Sequence, residues 1–266
     1  MSLWKSFIWK RATVKLLAKR HSRSVHWIRK ELRAYELPEP VIVPDNIVAI
    51  MDCVFFKRSS GYLVVRNTHN SSNVYWSEIE NETINEYQCA RDTLERQGFS
   101  LKAIVIDGRP GVRKLFDDLP VQMCHFHQKA IITRYLTRQP KLEASKELRE
   151  IVYDLCNTNE QSFADAIDEW HEKWEKFLKE RTVEPISGRW HYTHKRLRSA
   201  YRSLRSNLPY LFTYQKYPEL NIPNTTNSLD GSFAHLKGLI QIHRGLKIDL
   251  KRKLILSILQ NRPTNL

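Results

Sequence analysis

Apolar positions along this chain change period several times. Over TVKLLAKRHSRSVHWIRKELRA, residues 13–34, they recur at helical spacing. Thr13 stands where it can cap a helix whose apolar face is Val14, Leu17 and Ala18, and the polar RHSRS breaks the pattern. Ser24 is then placed to cap a second helix with Val25, Ile28 and Leu32 at i, i+3 and i+7. Two short helices on a tight turn predict a helix-turn-helix. Its second helix would show His26, Arg29, Lys30 and Arg33 outward, the donors that reach phosphates and guanine edges. LPEPVIVPDN, residues 37–46, carries three prolines in ten residues and reads as a linker, with a module boundary near residue 40.

Strand patterns follow. IVAIMDCVFF (47–56), GYLVVR (61–66) and NVYWSEI (73–79) are separated by the turn-forming RSSG and NTHNSS. ETINEYQCARDTLERQ (82–97) is helical, with Gly98 as its stop, and residues 101–106 form a fourth strand. Residues 110–117 predict a short helix with Pro110 at its first position, VQMCH a fifth strand, and the next residues a helix to about Arg138. From 141 to 217 the pattern is helical with almost no strand signal, and a last helix runs from near Thr226 to HRG. The order predicts an α/β fold: a mixed five-stranded sheet with flanking helices, interrupted by an all-helical insertion.

Two of these strands carry a carboxylate that their pattern does not call for. Asp52 sits inside IVAIMDCVFF, and Asp107 ends LKAIVID just before a Gly/Pro turn. Burying a carboxylate costs several kcal/mol (~2 or more) unless a cation or hydrogen bonds compensate. Two on neighbouring strands point to one shared cation. Asp230, in NTTNSLDGSFAHLKG, is the best third acid: Leu229, Phe233, Leu236 and Ile240 make the core stripe of its helix, and Asp230 lies beside that stripe. Lys237, seven residues on, falls nearly on the same face and could reach a phosphate.

Charge sharpens the picture. The 266 residues carry a net charge of +14. Residues 1–40 hold ten Lys/Arg against three Asp/Glu, and residues 186–253 hold thirteen against three, whereas 41–185 are slightly acidic. Two basic blocks around an acid-bearing core suit two nucleic-acid surfaces around a site. No window approaches about 18 uninterrupted apolar residues, so no membrane span is expected. MSLWKSFIWKRATVK lacks the apolar stretch and cleavage site of a signal peptide. The four cysteines show no framework spacing, which favours a reduced, cytoplasmic setting.

Taken together, MDCVFF, VIDGRPGVRKLF, CHFHQ and TTNSLDGSFAHLK resemble, in this order, the motifs of DDE/D transposases with an RNase H-like catalytic core, specifically bacterial insertion-sequence transposases related to Mutator-like elements. The resemblance covers about residues 47–250. It implies four segments: a helix-turn-helix module and linker (1–40), the first part of the RNase H-like core (41–140), the insertion (141–220) and the last part of the core (221–266). It implies that Asp52, Asp107 and Asp230 are catalytic and bind two Mg²⁺ ions, for which Mn²⁺ could substitute. The partners implied are double-stranded DNA, as element ends and target, and further copies of the chain on that DNA, in a bacterial cytoplasm near the nucleoid. The family usually has Glu at the last position, where this chain has the shorter Asp230.

Each residue has a plainer reading. Asp52 could be a structural acid paired with an arginine, and Asp107 an ordinary turn residue. Cys124 and His127 have the spacing of half a zinc site with no second half nearby; a packed cysteine beside a site-proximal histidine is the simpler reading, and the resemblance gives the pair no role. Trp190, among Arg189, His191, Lys195 and Arg196, is either core or a surface on which a base stacks. Arg198, Arg202 and Arg205 form either a solvated row or a phosphate track. Two other functions fit the same residues: a DNA-binding protein that cuts nothing, and an RNase H-like nuclease that hydrolyses without joining.

Overall fold

The structure is a computed structural model that describes residues 2–57, 60–243 and 245–260. Three helices open the chain: α1 (Leu3–Ile8), α2 (Val14–Arg20) and α3 (Val25–Ala34). The Thr13 and Ser24 hydroxyls cap α2 and α3 as expected, accepting from the amides of Leu16 and Trp27. After the proline-rich stretch come β1 (Asn46–Lys57), β2 (Ser60–Asn67) and β3 (Asn73–Ile79); the expected RSSG turn includes Arg58 and Ser59, which lie outside the described residues. Then follow α4 (Ile84–Arg96), β4 (Ser100–Ile106), α5 (Pro110–Lys114), β5 (Val121–Met123) and α6 (His125–Leu136).

These strands form one mixed sheet in the order β3-β2-β1-β4-β5. β1 is central, antiparallel to β2 and parallel to β4, and β4 is parallel to β5. Alternation along the strands separates two cores. Ala49, Met51, Ile104 and Ile106 face α4, where Tyr87, Ala90 and Leu94 cover them. Val48, Ile50, Val54, Ala103 and Val105 face the other way. They are covered by Leu229, Phe233 and Leu236 of α11 (Asn227–Ile242) and by Ile255 and Leu259 of α12 (Ile248–Gln260).

Between the sheet and α11 lie α7 (Glu143–Tyr153), α8 (Glu160–Lys179), β6 (Arg181–Val183), β7 (Trp190–Tyr192), α9 (Lys195–Leu211) and α10 (Thr213–Lys216). Their own core, with Leu148, Phe163, Trp170 and Leu204, joins the sheet at the β5 edge. There the Gln122 amide donates to Leu211 O, the Thr213 hydroxyl donates to Val121 O, and Arg113, Asn207 and Gln128 form a buried chain of hydrogen bonds.

Three expectations need correction. The 141–217 stretch is not all-helical, because β6 and β7 pair as an antiparallel ribbon. Arg181–Val183 carries too few apolar positions for the pairing to show in the sequence. α12 follows the HRG break, and Asp249 falls in its first turn. The N-terminal helices, finally, do not hang from a linker as a separate body. Trp4, Phe7, Leu17, Ile28 and Leu32 share one core with Leu239, Leu250 and Leu254. Trp4 Nε1 donates to Ser257 Oγ, and Lys253 Nζ donates to Tyr35 O.

Candidate active site

The register of the sheet brings the first two acids together. Ile50 pairs with Val105 across β1 and β4, and two residues further along each strand stand Asp52 and Asp107. Asp52 is in phase with Val48, Ile50 and Val54, on the face that α11 covers, and Asp107 follows directly on the end of β4. Asp52 Oδ1 accepts from the Cys53 amide at 2.7 Å, and Asp107 Oδ1 from the Arg109 amide at 3.1 Å. Gly108 between them holds φ +94, and the Met123 sulfur lies 2.5 Å from where a Cβ would sit, so only glycine passes here.

Asp230 enters from the first turn of α11, where the partial positive charge of the helix favours an anion. Thr226 is the N-cap residue, and its hydroxyl donates to Asp230 Oδ2 at 3.0 Å. Thr226 is itself held by Cys124, whose Sγ accepts from the Thr226 amide at 3.3 Å and lies 3.4 Å from the hydroxyl. The Cys124 amide donates to Ile106 O, next to Asp107. The cysteine thus ties the end of β4 to the start of α11.

The electrostatics show that the three acids share one field. Burial pushes the Asp52 carboxyl up, Asp230 and Asp107 push the same way, and His127 and the Cys53 amide pull down; the net value is about 7 against an ordinary 3.8. The strongest influence on His127 is the Cys124 sulfur. Burial opposes it, and the charges of Cys124, Asp52 and Asp107 reinforce it, so the ring titrates at about 9. For the Cys124 thiol burial acts upward, but His127 and Thr226 together outweigh it and the net shift is downward. His127 Nδ1 is buried and makes no hydrogen bond of ordinary geometry. His127 therefore faces the acids as their nearest relieving cation, while His125, whose ring is bonded to Leu211 O, is pushed down by burial.

Among the described residues no three His, Cys, Asp or Glu side chains are gathered at the spacing that would hold a metal ion. The donor chemistry nevertheless suits a hard divalent cation. Mg²⁺ takes one or two carboxylates and keeps its waters, and Asp52 and Asp107 supply two hard oxygen donors that repel one another and Asp230.

The other singled-out residues fall into two groups. Arg29, Lys30 and Arg33 are exposed on α3, and Lys237 is exposed on α11. Arg33 lies 3.7 Å from Asp249. Trp190 is not core: it is 52% exposed on the β6–β7 ribbon, with the Arg181 guanidinium 4.0 Å above its ring. Of the arginine row, Arg202 is exposed, but Arg198 stacks on Tyr192 and donates to Leu178 O, and Arg205 pairs with Asp168. Both of these hold the helical region together. One positioning residue went unforeseen. Arg66 of β2 is 1% exposed and donates to Ser228 O and to Ser232 Oγ in the first turns of α11. An arginine closing the apolar run GYLVVR was the available signal.

No known protein family and no curated protein matches the chain. Among solved structures it is similar to the Drosophila P element transposase strand transfer complex, with 12% identity, coverage of 98% of this chain and 92% of the other, and a TM-score of 0.38. It is also similar to the simian T-cell lymphotropic virus intasome in complex with the PP2A regulatory subunit B56 gamma, with 14% identity, 74% of each chain covered and a TM-score of 0.24. At such distances neither likeness says what this chain does. No helix among the described residues is long and apolar enough to cross a membrane.

Proposed function

We propose that the chain is a DNA transposase with an RNase H-like core, of the bacterial insertion-sequence kind related to Mutator-like elements, and that it cuts element ends and joins them to a target. One observation carries this reading. Asp52 on β1 and Asp107, directly after the adjacent parallel β4, stand side by side, and the carboxyl of Asp52 is raised by both Asp107 and Asp230. A purely structural acid would be neutralised by a paired arginine; here the groups that relieve Asp52 are an imidazole and a backbone amide.

In this reading Asp52 and Asp107 hold Mg²⁺, and Asp230 completes the set. The bound ions would activate the attacking oxygen and stabilise the leaving one in an in-line displacement at phosphorus. The protein's own part is positioning. Thr226 and Arg66 orient α11 and with it Asp230, Cys124 joins that helix to the strand bearing Asp107, and His127 offsets the local negative charge where a phosphate must enter. The α2–α3 pair serves as a helix-turn-helix reader of duplex DNA, with Arg29, Lys30 and Arg33 on its outer face, and α7 to α10 with the β6–β7 ribbon form an insertion in the core. Lys237 and Arg202, with Trp190 as a stacking surface, add backbone and base contacts.

The test is a strand-transfer assay with duplexes taken from the DNA flanking the coding sequence, in Mg²⁺ and in Mn²⁺. Free 3′ ends and products covalently joined to a second duplex are expected. Asp52→Ala, Asp107→Ala and Asp230→Ala should each abolish both, and Asp230→Glu should keep or raise them. Cleavage without joining would make the chain a nuclease; binding without cleavage would make it a DNA-binding protein.

A further inference from the structure

The packing of the N-terminal helices onto α11 and α12 leaves a cleft of about 390 Å³ between the two groups. Its walls carry Lys15 at the start of α2, Arg29 and Arg33 on α3, and Lys247 just before α12. All four are exposed. One carboxylate offsets them: Asp249, 3.7 Å from Arg33, with 61% of its side chain exposed. Arg29 and Arg33 stand at i and i+4, a like-charged pair that costs a helix about 0.2–0.5 kcal/mol when nothing anionic lies against it. The walls are also fixed to one another. His243 is buried at the end of α11, donates from Nε2 to Phe7 O (3.1 Å) and packs on the Phe7 ring. Gly245 makes the turn between α11 and α12 at φ +83.

We infer that this cleft is a backbone-phosphate site for duplex DNA, in which Lys15 and Lys247 hold the same duplex that α3 reads. The inference rests on the DNA-binding reading of α3 and adds to it two contacts outside that helix, Lys15 on α2 and Lys247 before α12. Four cations converging on one rigid concavity match a row of phosphates better than a single small anion, because they are spread over three elements and point at a cleft open to solvent. Lys247 lies in the turn between α11 and α12, at the opposite end of α11 from the first turn that bears Asp230, so a duplex held in the cleft would contact the far end of the helix that supplies the third acid.

The test is fluorescence anisotropy of the full chain with two labelled duplexes, one from the DNA flanking the coding sequence and one random duplex of equal length, over a range of salt. Lys15→Gln with Lys247→Gln should weaken binding to both duplexes alike, leave the ratio between them unchanged, and reduce the salt slope by roughly 2, the value for two lost phosphate contacts. Asp249→Asn should act in the opposite direction, tightening both and steepening the slope, which a misfolded variant could not do. Arg29→Ala is the control for α3. If it weakens binding while the lysine pair and Asp249→Asn leave affinity and slope at wild-type values, the cleft inference is wrong and the reading of α3 stands. If Arg29→Ala also has no effect, the reading of α3 is wrong and the inference falls with it.

Discussion

The Thr226 hydroxyl donates a 3.0 Å hydrogen bond to Asp230 one turn further along the same helix. Thr226 is in turn bonded to Cys124, at the corner where β5 meets α6. The third acid is therefore aimed by a residue whose own position depends on a different part of the sheet. The Thr226 hydroxyl accepts from no amide of the first turn, and α11 begins with no side-chain cap.

Replacing Thr226 by valine keeps the volume and removes the donor. A hydrogen bond to a charged group is worth about 1.5–3 kcal/mol, which corresponds to cleavage slowed about 10- to 100-fold. Serine should restore most of the rate. DNA affinity, measured by anisotropy, should not move, and a parallel loss of affinity would show that Thr226 supports the whole site rather than Asp230.

Asp52 makes metal-free stability depend on pH. Its carboxyl is raised in the folded protein from 3.8 to about 7, so the unfolded chain ionises first and stability falls as pH rises between those values. Asp52→Asn should therefore raise the Tm more at pH 8 than at pH 4. Adding Mg²⁺ at pH 8 should raise the Tm of the wild type and leave that of the variant nearly unchanged. A wild-type Tm indifferent to Mg²⁺ would count against a cation on this pair.

His127 has the opposite sign. Its ring is raised from 6.5 to about 9, so the stability contributed by its charged form is complete below pH 6.5 and is lost as pH rises through 9. His127→Gln should lower the Tm clearly at pH 6 and little at pH 10. An equal loss at both would assign the residue to packing.

Deleting residues 1–40 should not yield a well-behaved core. The deletion strips Leu239, Leu250 and Leu254 of their cover, and each fully buried leucine is worth about 1.5–3 kcal/mol. We expect a lower Tm and concentration-dependent aggregation by light scattering. A monodisperse deletion variant with wild-type stability would mean that the N-terminal helices fold apart from the rest.

The elements that could be read from the chain alone were those whose causes are local. Thr13 and Ser24 cap their helices through amides three residues away, and apolar runs bounded by turn residues marked β1 to β4, because strands buried on both faces are apolar along their length. Asp52 and Asp107 stood out as the charges that such runs do not call for. What the chain could not disclose depends on partners far away in sequence. α12 carries apolar residues at helical spacing, Leu250, Leu254, Ile255 and Leu259, but that Leu250 and Leu254 share a core with Trp4 and Ile28 is decided only by the fold. The β6–β7 ribbon is held by three residue pairs and by arginines stacked on Trp190 and Tyr192, with too little apolar burial to mark a strand. Thr226 stands at the start of α11, and only the fold, by setting β5 against that start, brings its hydroxyl beside the Cys124 sulfur while it donates to Asp230.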